Sequence, residues 1–306
     1  MTGVQSRLIW FRDRVMPLEE ATVSVLSPAA QFGLNVFEGV RAYWSPQGRR
    51  LNVFRLDAHI DRMRLSARLL GLEMTQTNDD VASAIREVVE AGGFREDISL
   101  RVTLIVDGIG SWTDSGPTSL FVAPIPSTRV GTGDESVMRA TVSSWRRIAN
   151  DSMPPRVKTG ANYISGRYAV MDARRGGYDV PILLNREGHV AESPGASVLA
   201  IRNSHLIAPE PSDGILEGIT RDTLMMLAES MDIATEERSI DRSELLVVDE
   251  LLLCGSAVEI RPIGSVDGVR IGTGGFGPIT KSLLERYHGV VEGEVPVHDG
   301  WLYPLS

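Results

Sequence analysis

The sequence predicts an α/β (α+β) protein of two domains, and three observations support this prediction. The chain has 306 residues, and one domain ordinarily takes about 100–200 residues. Runs rich in β-branched residues alternate with helical patterns along most of the chain. Residues 124–136 (PIPSTRVGTGDES) are rich in Pro, Gly, Ser and Thr and show no apolar period, as expected of a connecting segment. We therefore predict a small domain at residues 1–123, a linker at 124–136 and a large domain at 137–306.

The first domain is predicted to begin with short strands and to continue with two helices. RLIWFRDRVM and ATVSVLS are β-rich runs that end near Pro17 and Pro28. VRAYWSPQGRRLNVFRL contains two β-like runs joined by Ser-Pro-Gln-Gly, which indicates a hairpin. Apolar residues recur at helical spacing in DAHIDRMRLSARLLGL, with Asp57 as N-cap and Gly71 as stop, and again in DDVASAIREVVEAGG. SLRVTLIVDG and TSLFVAPIP are predicted to be buried strands.

The second domain is predicted to alternate strands with helices. The predicted strands are MRATVSSW, YDVPILLN, SVLAIR, HLIAPE and LLLCGS. The predicted helices are YISGRYAVMDARRGG, TRDTLMMLAESM and ITKSLLERYHG. Two mixed domains of this kind commonly leave a cleft in which a cofactor binds.

Charge and composition argue against several classes of protein. Acidic residues outnumber basic ones, 40 to 31, and the formal net charge is −9, whereas sequence-independent binding to nucleic acid or membranes depends on basic surface. The single cysteine, Cys254, cannot form an intrachain disulfide or, alone, a structural zinc site. There is no run of about 18 apolar residues, and MTGVQSRLIWFRDRV lacks the apolar core of a signal peptide. The expectation is a soluble cytoplasmic protein that binds neither nucleic acid nor membranes.

Lysine is scarce in this chain, because only Lys158 and Lys281 occur among its 31 basic residues. Codon bias accounts for arginine at most surface positions. Arginine cannot replace lysine where chemistry needs an amine that loses its proton, as in imine formation or general base catalysis. The two lysines are therefore candidates for a required amine, and chance retention of either stays open on the count alone.

Familiar motifs of other enzyme classes fail or are missing from the sequence. Gly272–Gly277 matches GxGxxG and precedes a helical run, but too few residues follow it to complete a dinucleotide-binding unit. The histidines are scattered without the spacing of metal ligands, so no metal site is predicted. The sequence contains neither a G-x-S-x-G elbow nor a P-loop.

Four segments carry groups that suit a cofactor site, and each also has an ordinary structural interpretation. Lys158 lies in RVKTGANYISG before a Gly-containing turn, where its amine either points into a cleft or is a solvated loop amine. Glu192 closes an apolar strand in GHVAESPG, where a carboxylate is either exposed or held for a purpose. Gly214–Asp222 leads into an amphipathic helix, whose start either binds an anion or is merely capped. Ser256 comes shortly after LLLC at a strand end, where its hydroxyl either binds a ligand or belongs to a simple turn. Together these groups match what pyridoxal 5'-phosphate needs from a protein.

Eight motifs lie in one order along nearly the whole chain. They are FGLNVFEGVRAY, HIDRMRLSA, VSSWRR, VKTGANYISG, AESPGASVLAI, GILEGITRD, GSAVEI and GPITK. With these motifs the chain resembles the branched-chain-aminotransferase-like group of fold-type IV pyridoxal-phosphate enzymes. The resemblance implies a small N-terminal α/β domain, a larger C-terminal domain, and the cofactor in the cleft.

The resemblance also implies roles for single residues. Lys158 matches the Schiff-base lysine, which also shuttles the substrate proton, and Glu192 matches the carboxylate that pairs with the pyridine nitrogen. Tyr163 matches the phenol that binds the 3-oxygen of the cofactor. The other implied cofactor contacts are Arg62, Ile219, Thr220 and Ser256 at the phosphate, and Leu216 against the ring. The implied substrate contacts are Phe37, as an aromatic wall, and the turn of Ser256 and Ala257, at the α-carboxylate.

The chain departs from the family around the implied substrate pocket. Phe32 and Ser99 stand where typical branched-chain enzymes have tyrosine, which enlarges or reshapes the pocket. Arg101 matches a residue that can receive the side-chain carboxylate of glutamate, and a strand-end surface arginine is the equal alternative. Arg129 lies in the linker, which borders the pocket in the family, and would add a second positive charge.

The resemblance implies an aminotransferase that moves an amino group between an amino acid and a 2-oxo acid by a ping-pong mechanism. Two alternatives use the same cofactor: a lyase of the aminodeoxychorismate type and a D-amino-acid transaminase. VFEGVRAY and VSSWRR favour the aminotransferase branch. The resemblance also implies a homodimer, in which the small domain closes the partner's site.

Overall fold

The computed structural model describes residues 7–131, 133–295 and 298–305. The chain divides into two compact units. Unit 1 comprises Met1–Thr128, Val157–Ala161 and Val291–Ser306, and unit 2 comprises Arg129–Arg156 and Asn162–Val290. These units differ from the continuous domains predicted above, because two later segments of the chain are packed with the N-terminal sheet.

Strands and helices alternate through the described residues. The strands are β1 (Leu8–Phe11), β2 (Arg14–Pro17), β3 (Asn35–Ser45), β4 (Arg50–Phe54), β5 (Ile98–Val106), β6 (Thr118–Pro126), β7 (Met138–Arg146), β8 (Val180–Leu184), β9 (Val190–Ser193), β10 (Ala196–Arg202), β11 (His205–Ala208), β12 (Thr235–Glu237), β13 (Glu250–Gly255), β14 (Glu259–Val266), β15 (Val269–Arg270) and β16 (Leu302–Leu305). The helices are α1 (Pro28–Phe32), α2 (Leu56–Leu69), α3 (Asn78–Gly92), α4 (Gly160–Arg175), α5 (Ile219–Glu229) and α6 (Pro278–Glu292).

Unit 1 is built on an antiparallel sheet with strand order β16-β4-β3-β5-β6-β1-β2. The predicted hairpin is confirmed, since β3 pairs with β4 and places Ala42 opposite Val53. Helices α2 and α3 contribute Ile60, Met63, Ile85 and others to one core with the buried strand residues. Burial of this apolar surface is the main force that holds the helices on the sheet.

Two sequence-based expectations in unit 1 are wrong. ATVSVLS forms no strand; it is followed by α1, whose start is set by Ser27, because its Oγ accepts a hydrogen bond from the Ala30 amide (3.1 Å) and Pro28 occupies the first turn. Asp57 is not the N-cap of α2. That position is held by Arg55 in a left-handed conformation (φ 54°), and Asp57 lies in the first turn, where its charge still favours the helix dipole.

Unit 2 is built on a sheet that closes on itself. β10, β13, β14, β7, β8 and β9 follow one another, and β9 pairs back onto β10. A core of buried aliphatic side chains lies within this closed sheet, among them Ile182, Val198, Leu253 and Ile263. Because of this closure, each of these six strands has a neighbour on both sides.

The predicted linker is more ordered than its composition suggested. Its first residues, 124–126, belong to β6, and Asp134–Ser136 form a single 3-10 turn. The Oγ of Ser136 donates a hydrogen bond to the Gly131 carbonyl (2.8 Å). Within the part of the chain that the structure describes, no helix combines the length and apolarity needed to cross a membrane.

Candidate active site

The backbone around Lys158 is held on both sides within unit 1. The Lys158 amide donates to the Oγ of Ser66 on α2 (3.1 Å), and the Lys158 carbonyl accepts from the Phe37 amide on β3 (3.0 Å). Both neighbours, Val157 and Thr159, are buried, whereas Lys158 itself is half-buried. These two hydrogen bonds therefore fix the backbone from which the Lys158 side chain extends.

Phe37 brings two of the predicted site residues together. The Lys158 Nζ lies 5.0 Å from the centre of the Phe37 ring, and the Arg101 Cζ lies 4.4 Å from it. Both distances are within the range of a cation–π interaction. Arg101 is exposed on β5 opposite Gly39, so that β3 and β5 present an aromatic ring and a guanidinium on the same face of the sheet.

Arg62 is fixed by a buried cluster on α2 and β3. Its Nε and Nη2 donate to the two oxygens of Glu38 (2.8 and 2.7 Å), and the Nδ1 of His59 donates to Glu38 Oε2 (2.8 Å). Nδ1 is the donor because a carboxylate only accepts. Arg62 was assigned from the sequence but its partners Glu38 and His59 were not, although His59 and Arg62 are three residues apart on one helix face.

The charges in this cluster follow from burial and from the arginine. Burial favours the protonated form of Glu38, but the charge and hydrogen bonds of Arg62, with the hydrogen bond of His59, outweigh it and hold the pKa of Glu38 well below its usual range. Burial lowers the pKa of His59 despite the opposing effect of Glu38. Arg62 is therefore held by an anionic carboxylate, which also accepts a hydrogen bond from His59.

Glu192 lies on β9 in unit 2 with both oxygens occupied. The Nε of Arg147 is 2.9 Å from Glu192 Oε1, and the Leu216 amide donates to Oε2 (2.8 Å). Glu192 and Arg147 are both buried. A guanidinium and an amide N–H both favour the charged form of a carboxylate, so this arrangement keeps a negative charge at the end of β9.

Arg147 is a residue of the candidate site that the sequence analysis did not assign. Its Nε also donates to the Gly214 carbonyl (3.2 Å) and its Nη2 to the Pro155 carbonyl (3.3 Å). It thus ties Glu192 to the segments on either side of the site in unit 2. The available signal was its place as the last residue of the motif VSSWRR, directly after β7.

The turn after Glu192 brings Tyr163 to the same end of the closed sheet. Ser193 and Ala196 pair across a two-residue turn, and Gly195 has φ +88°, a conformation that favours glycine. A Cβ on Gly195 would lie 3.7 Å from the Tyr163 ring. The tyrosine of α4 therefore packs directly on this turn.

The start of α5 is shaped as an anion site. Its N-cap is Gly218, and no side chain of the described residues caps the helix there; Ile219 and Thr220 are both buried at the first two positions. A Cβ on Gly218 would lie 2.7 Å from the Ser197 Oγ, so glycine is required for close packing. Uncapped amides and the positive end of the dipole favour a phosphate.

Ser256 and Ala257 lie in the turn between β13 and β14, which is closed by a hydrogen bond from the Val258 amide to the Gly255 carbonyl (3.1 Å). A Cβ on Gly255 would lie 3.4 Å from the Gly195 carbonyl oxygen. The two turns of unit 2 are thus neighbours. Ser256 is half-buried and Ala257 is exposed.

The structure distributes the predicted residues over both units. Unit 1 holds Phe37, Arg62, Arg101 and Lys158, and unit 2 holds Arg129, Tyr163, Glu192, Leu216, Ile219, Thr220, Ser256 and Ala257. Arg129 is half-buried at the first residue of unit 2. No group of three or more His, Cys, Asp or Glu side chains suited to a metal ion occurs among the described residues.

Comparison with known proteins places the chain in a family. The model of the amino-transferase class IV family matches residues 35–266. The probable branched-chain-amino-acid aminotransferase of Aquifex aeolicus (strain VF5) is 34% identical over 304 residues, 97% of this chain and 96% of that protein. The chain therefore belongs to the class IV aminotransferase family. Within this family it is similar to the branched-chain aminotransferases, and it is an aminotransferase.

Two solved structures confirm the predicted fold-type IV architecture. The branched-chain aminotransferase from the thermophilic archaea Thermoproteus uzoniensis with norvaline has a TM-score of 0.92 at 38% identity, covering 98% of this chain and 100% of that chain. The T.th. branched-chain amino acid aminotransferase complexed with N-(5'-phosphopyridoxyl)-L-glutamate has a TM-score of 0.92 at 32% identity, covering 99% of this chain and 100% of that chain.

Proposed function

We propose that this protein uses pyridoxal 5'-phosphate to transfer an amino group between an amino acid and a 2-oxo acid by a ping-pong mechanism. The observation that carries the proposal is the buried carboxylate of Glu192, held between Arg147 and the Leu216 amide. A carboxylate kept negative in this way suits a protonated pyridine nitrogen. A similar structure holds a phosphopyridoxyl adduct.

The residues present fit this cofactor in both units. The uncapped start of α5, with Ile219 and Thr220, suits its phosphate, and so does Arg62, whose orientation is set by Glu38. Bound pyridoxal phosphate supplies an electron sink for the bonds at the substrate Cα. Tyr163 is proposed to bind the 3-oxygen of the cofactor, and Leu216 to pack on the face of its ring. The Oγ of Ser256 is proposed to bind the phosphate.

Lys158 is proposed to hold the cofactor covalently, to be released when the substrate amine takes its place, and then to act as the general base. Its Nζ removes the proton from the substrate Cα and then delivers a proton to the C4′ atom of the cofactor. A base must be held within hydrogen-bond reach of that proton, and the two backbone hydrogen bonds of Lys158 provide such a fixed origin.

The substrate is proposed to bind by two groups. The α-carboxylate is received by the amides of the Ser256–Ala257 turn, and the side chain lies against Phe37. The norvaline and L-glutamate of the similar structures indicate that both apolar and acidic side chains suit this architecture. Arg101, stacked on Phe37, is proposed to receive an acidic side chain, and Ser99 and Phe32 reshape the apolar part of the pocket.

A homodimer is part of the proposal, and an exposed apolar patch supports it. Val25, Leu26, Ile109 and Trp112 are 51–81% exposed, and the Gly110 amide donates to the Leu26 carbonyl (3.2 Å), which joins the two loops. Contiguous apolar surface of this kind marks an interaction site. Trp112→Glu should shift the protein toward monomer in analytical ultracentrifugation, whereas the control Ile164→Glu on α4 should not.

Lys158→Ala and Lys281→Ala form a matched pair that tests the chemistry, because Lys281 is exposed on α6. Borohydride should fix the cofactor to the wild type and to Lys281→Ala, and mass spectrometry should find it on the peptide with Lys158. Lys158→Ala should lose both this label and turnover of amino acid with 2-oxo acid. Normal turnover in Lys158→Ala would overturn the mechanism, and pyruvate release without an amino acceptor would favour the lyase.

A further inference from the structure

Arg129 lies between two residues that buried charged side chains hold in place. On one side, in unit 1, Arg41 is 1% exposed; its Nη1 donates to the Ser127 Oγ and its Nη2 to the Thr128 carbonyl (3.2 Å). On the other side, in unit 2, the Val130 amide donates to the Oε2 of Glu259 (2.6 Å). The backbone that carries Arg129 is thus pinned directly before and after it.

Glu259 connects this segment to the turn proposed for the substrate. It is the first residue of β14 and pairs with Gly255 across the Ser256–Ala257 turn. It is 1% exposed and has φ +51°, a left-handed conformation that is costly for a residue with a side chain. The strained backbone directs the carboxylate from the turn to the amide next to Arg129.

Glu259 is a carboxylate that is both buried and hydrogen-bonded. Burying a charge is unfavourable unless it is paired or hydrogen-bonded. The Val130 amide is one partner, and the His288 Nε2 lies 3.8 Å from the same oxygen, Oε2. Val130 itself is buried, and Ser136 closes the rest of the segment onto Gly131. The segment is therefore held as a fixed part of unit 2.

We propose that Glu259 is a positioning residue that fixes Arg129 beside the Ser256–Ala257 turn, and that Arg129 thereby selects substrates with a second anionic group on the side chain. This inference rests on the proposed function, which assigns the α-carboxylate to that turn. The guanidinium of Arg129 adds a second positive charge, besides the one that Arg101 supplies, for the second carboxylate of a dicarboxylic 2-oxo acid or amino acid. A guanidinium binds a carboxylate best when its orientation is set in advance.

The test compares two five-carbon 2-oxo acids that differ in the second carboxylate, 2-oxoglutarate and 2-oxopentanoate, in steady-state kinetics of the holoenzyme. The measured quantity is the KM for 2-oxoglutarate divided by the KM for 2-oxopentanoate. Arg129→Ala should raise this KM ratio about tenfold, as expected for loss of one charged contact. Glu259→Ala should raise the same ratio with little change in kcat. In the Arg129→Ala background, Glu259→Ala should add nothing, because it acts through Arg129.

Two conservative variants separate the hydrogen bond from the charge. Glu259→Gln keeps the length and an oxygen that accepts from the Val130 amide, so the KM ratio should stay near that of the wild type. Glu259→Asp keeps the charge but is too short to reach, so the ratio should rise. The control is Glu250→Ala, which removes another buried carboxylate of unit 2, one that accepts from the Ile279 and Thr280 amides; it should lower the melting temperature and leave the ratio unchanged.

The outcomes distinguish the inference from the function beneath it. Wild-type protein that turns over neither 2-oxo acid with any amino donor would contradict the proposed function. Turnover with an unchanged ratio in Arg129→Ala would overturn the selection by Arg129. A raised ratio in Glu259→Gln but not in Glu259→Asp, or additive effects of Glu259→Ala and Arg129→Ala, would overturn the positioning role. If Glu259→Ala does not fold, the Gln and Asp variants decide alone.

Discussion

Replacement of Arg147 tests whether Glu192 is held as a buried anion. The two side chains meet at 2.9 Å and both are buried. With an effective dielectric constant of about 20, this attraction is about 6 kcal/mol before desolvation is subtracted. Removal of one partner from a buried pair costs about 3–5 kcal/mol, because the other charge stays buried without compensation. Arg147→Met, which keeps much of the volume, should therefore destabilise the protein by about 3 kcal/mol or more.

The assay is thermal unfolding of the cofactor-free protein at neutral pH, followed by near-UV circular dichroism. For a domain of about 150–250 residues, 1 kcal/mol corresponds to about 2–4 °C, so the expected loss in melting temperature is at least about 6 °C. Arg147→Met with Glu192→Gln should recover part of this loss, because the remaining side chain is neutral. Turnover should fall in both variants, since neither presents a carboxylate paired with a cation.

Two results would refute this reasoning. A loss below about 1 kcal/mol in Arg147→Met would show that the pair contributes no more than an exposed ion pair does. A double variant less stable than Arg147→Met would show that the cost comes from lost hydrogen bonds to the Gly214 and Pro155 carbonyls and not from the charge of Glu192.

Two further predictions concern the buried Glu38 cluster and the start of α5. The pKa of Glu38 is lower in the folded protein than its ordinary value of 4.5, so the unfolded chain binds the extra proton; the stabilisation is present above about pH 4.5 and is lost as the pH falls toward the folded pKa. Glu38→Gln should lose stability at neutral pH and show a flatter decline in urea unfolding below pH 4.5. Gly218→Ala should lower the affinity for pyridoxal phosphate in fluorescence titration, because its Cβ would meet the Ser197 Oγ at 2.7 Å.

Matched variants check both predictions. Asp80→Asn alters an exposed carboxylate of α3 whose pKa is also lowered by its hydrogen bonds to Thr77, and it should change stability far less than Glu38→Gln. If the stability of Glu38→Gln fell below pH 4.5 as steeply as that of the wild type, the low pKa of Glu38 would not be the cause of the decline. Ser197→Gly combined with Gly218→Ala should restore affinity; failure to restore it would show that the contact is not the cause.

Several features of the fold followed from local patterns. The β3–β4 hairpin, α2, α3 and α5 were predicted from periodicity and turn residues, and the structure confirms each of them. The strand predicted at ATVSVLS failed because β-propensity is weak without a partner strand, whereas the Ser27 cap and Pro28 begin a helix with local interactions alone.

Some residues of the candidate site were recognisable in the sequence, and others were not. Lys158 and Glu192 were recognisable because each lies in a motif, and their roles stay predictions. Arg147 was not recognisable as the partner of Glu192, since the two are far apart in sequence and meet only through the packing of the closed sheet. Glu259 was equally hidden, because its importance depends on which amide its carboxylate reaches.

By itself the sequence determined which residues carry reactive groups and where most helices and strands lie, because amine chemistry, capping and periodicity are local properties. Only the tertiary structure decided which charges are buried and what they hold: Glu38 with Arg62, Glu192 with Arg147, and Glu259 with the Val130 amide. The reason is physical. The cost of a buried charge and the benefit of its partner depend on distance and on exclusion of water, and both arise only when distant segments pack together.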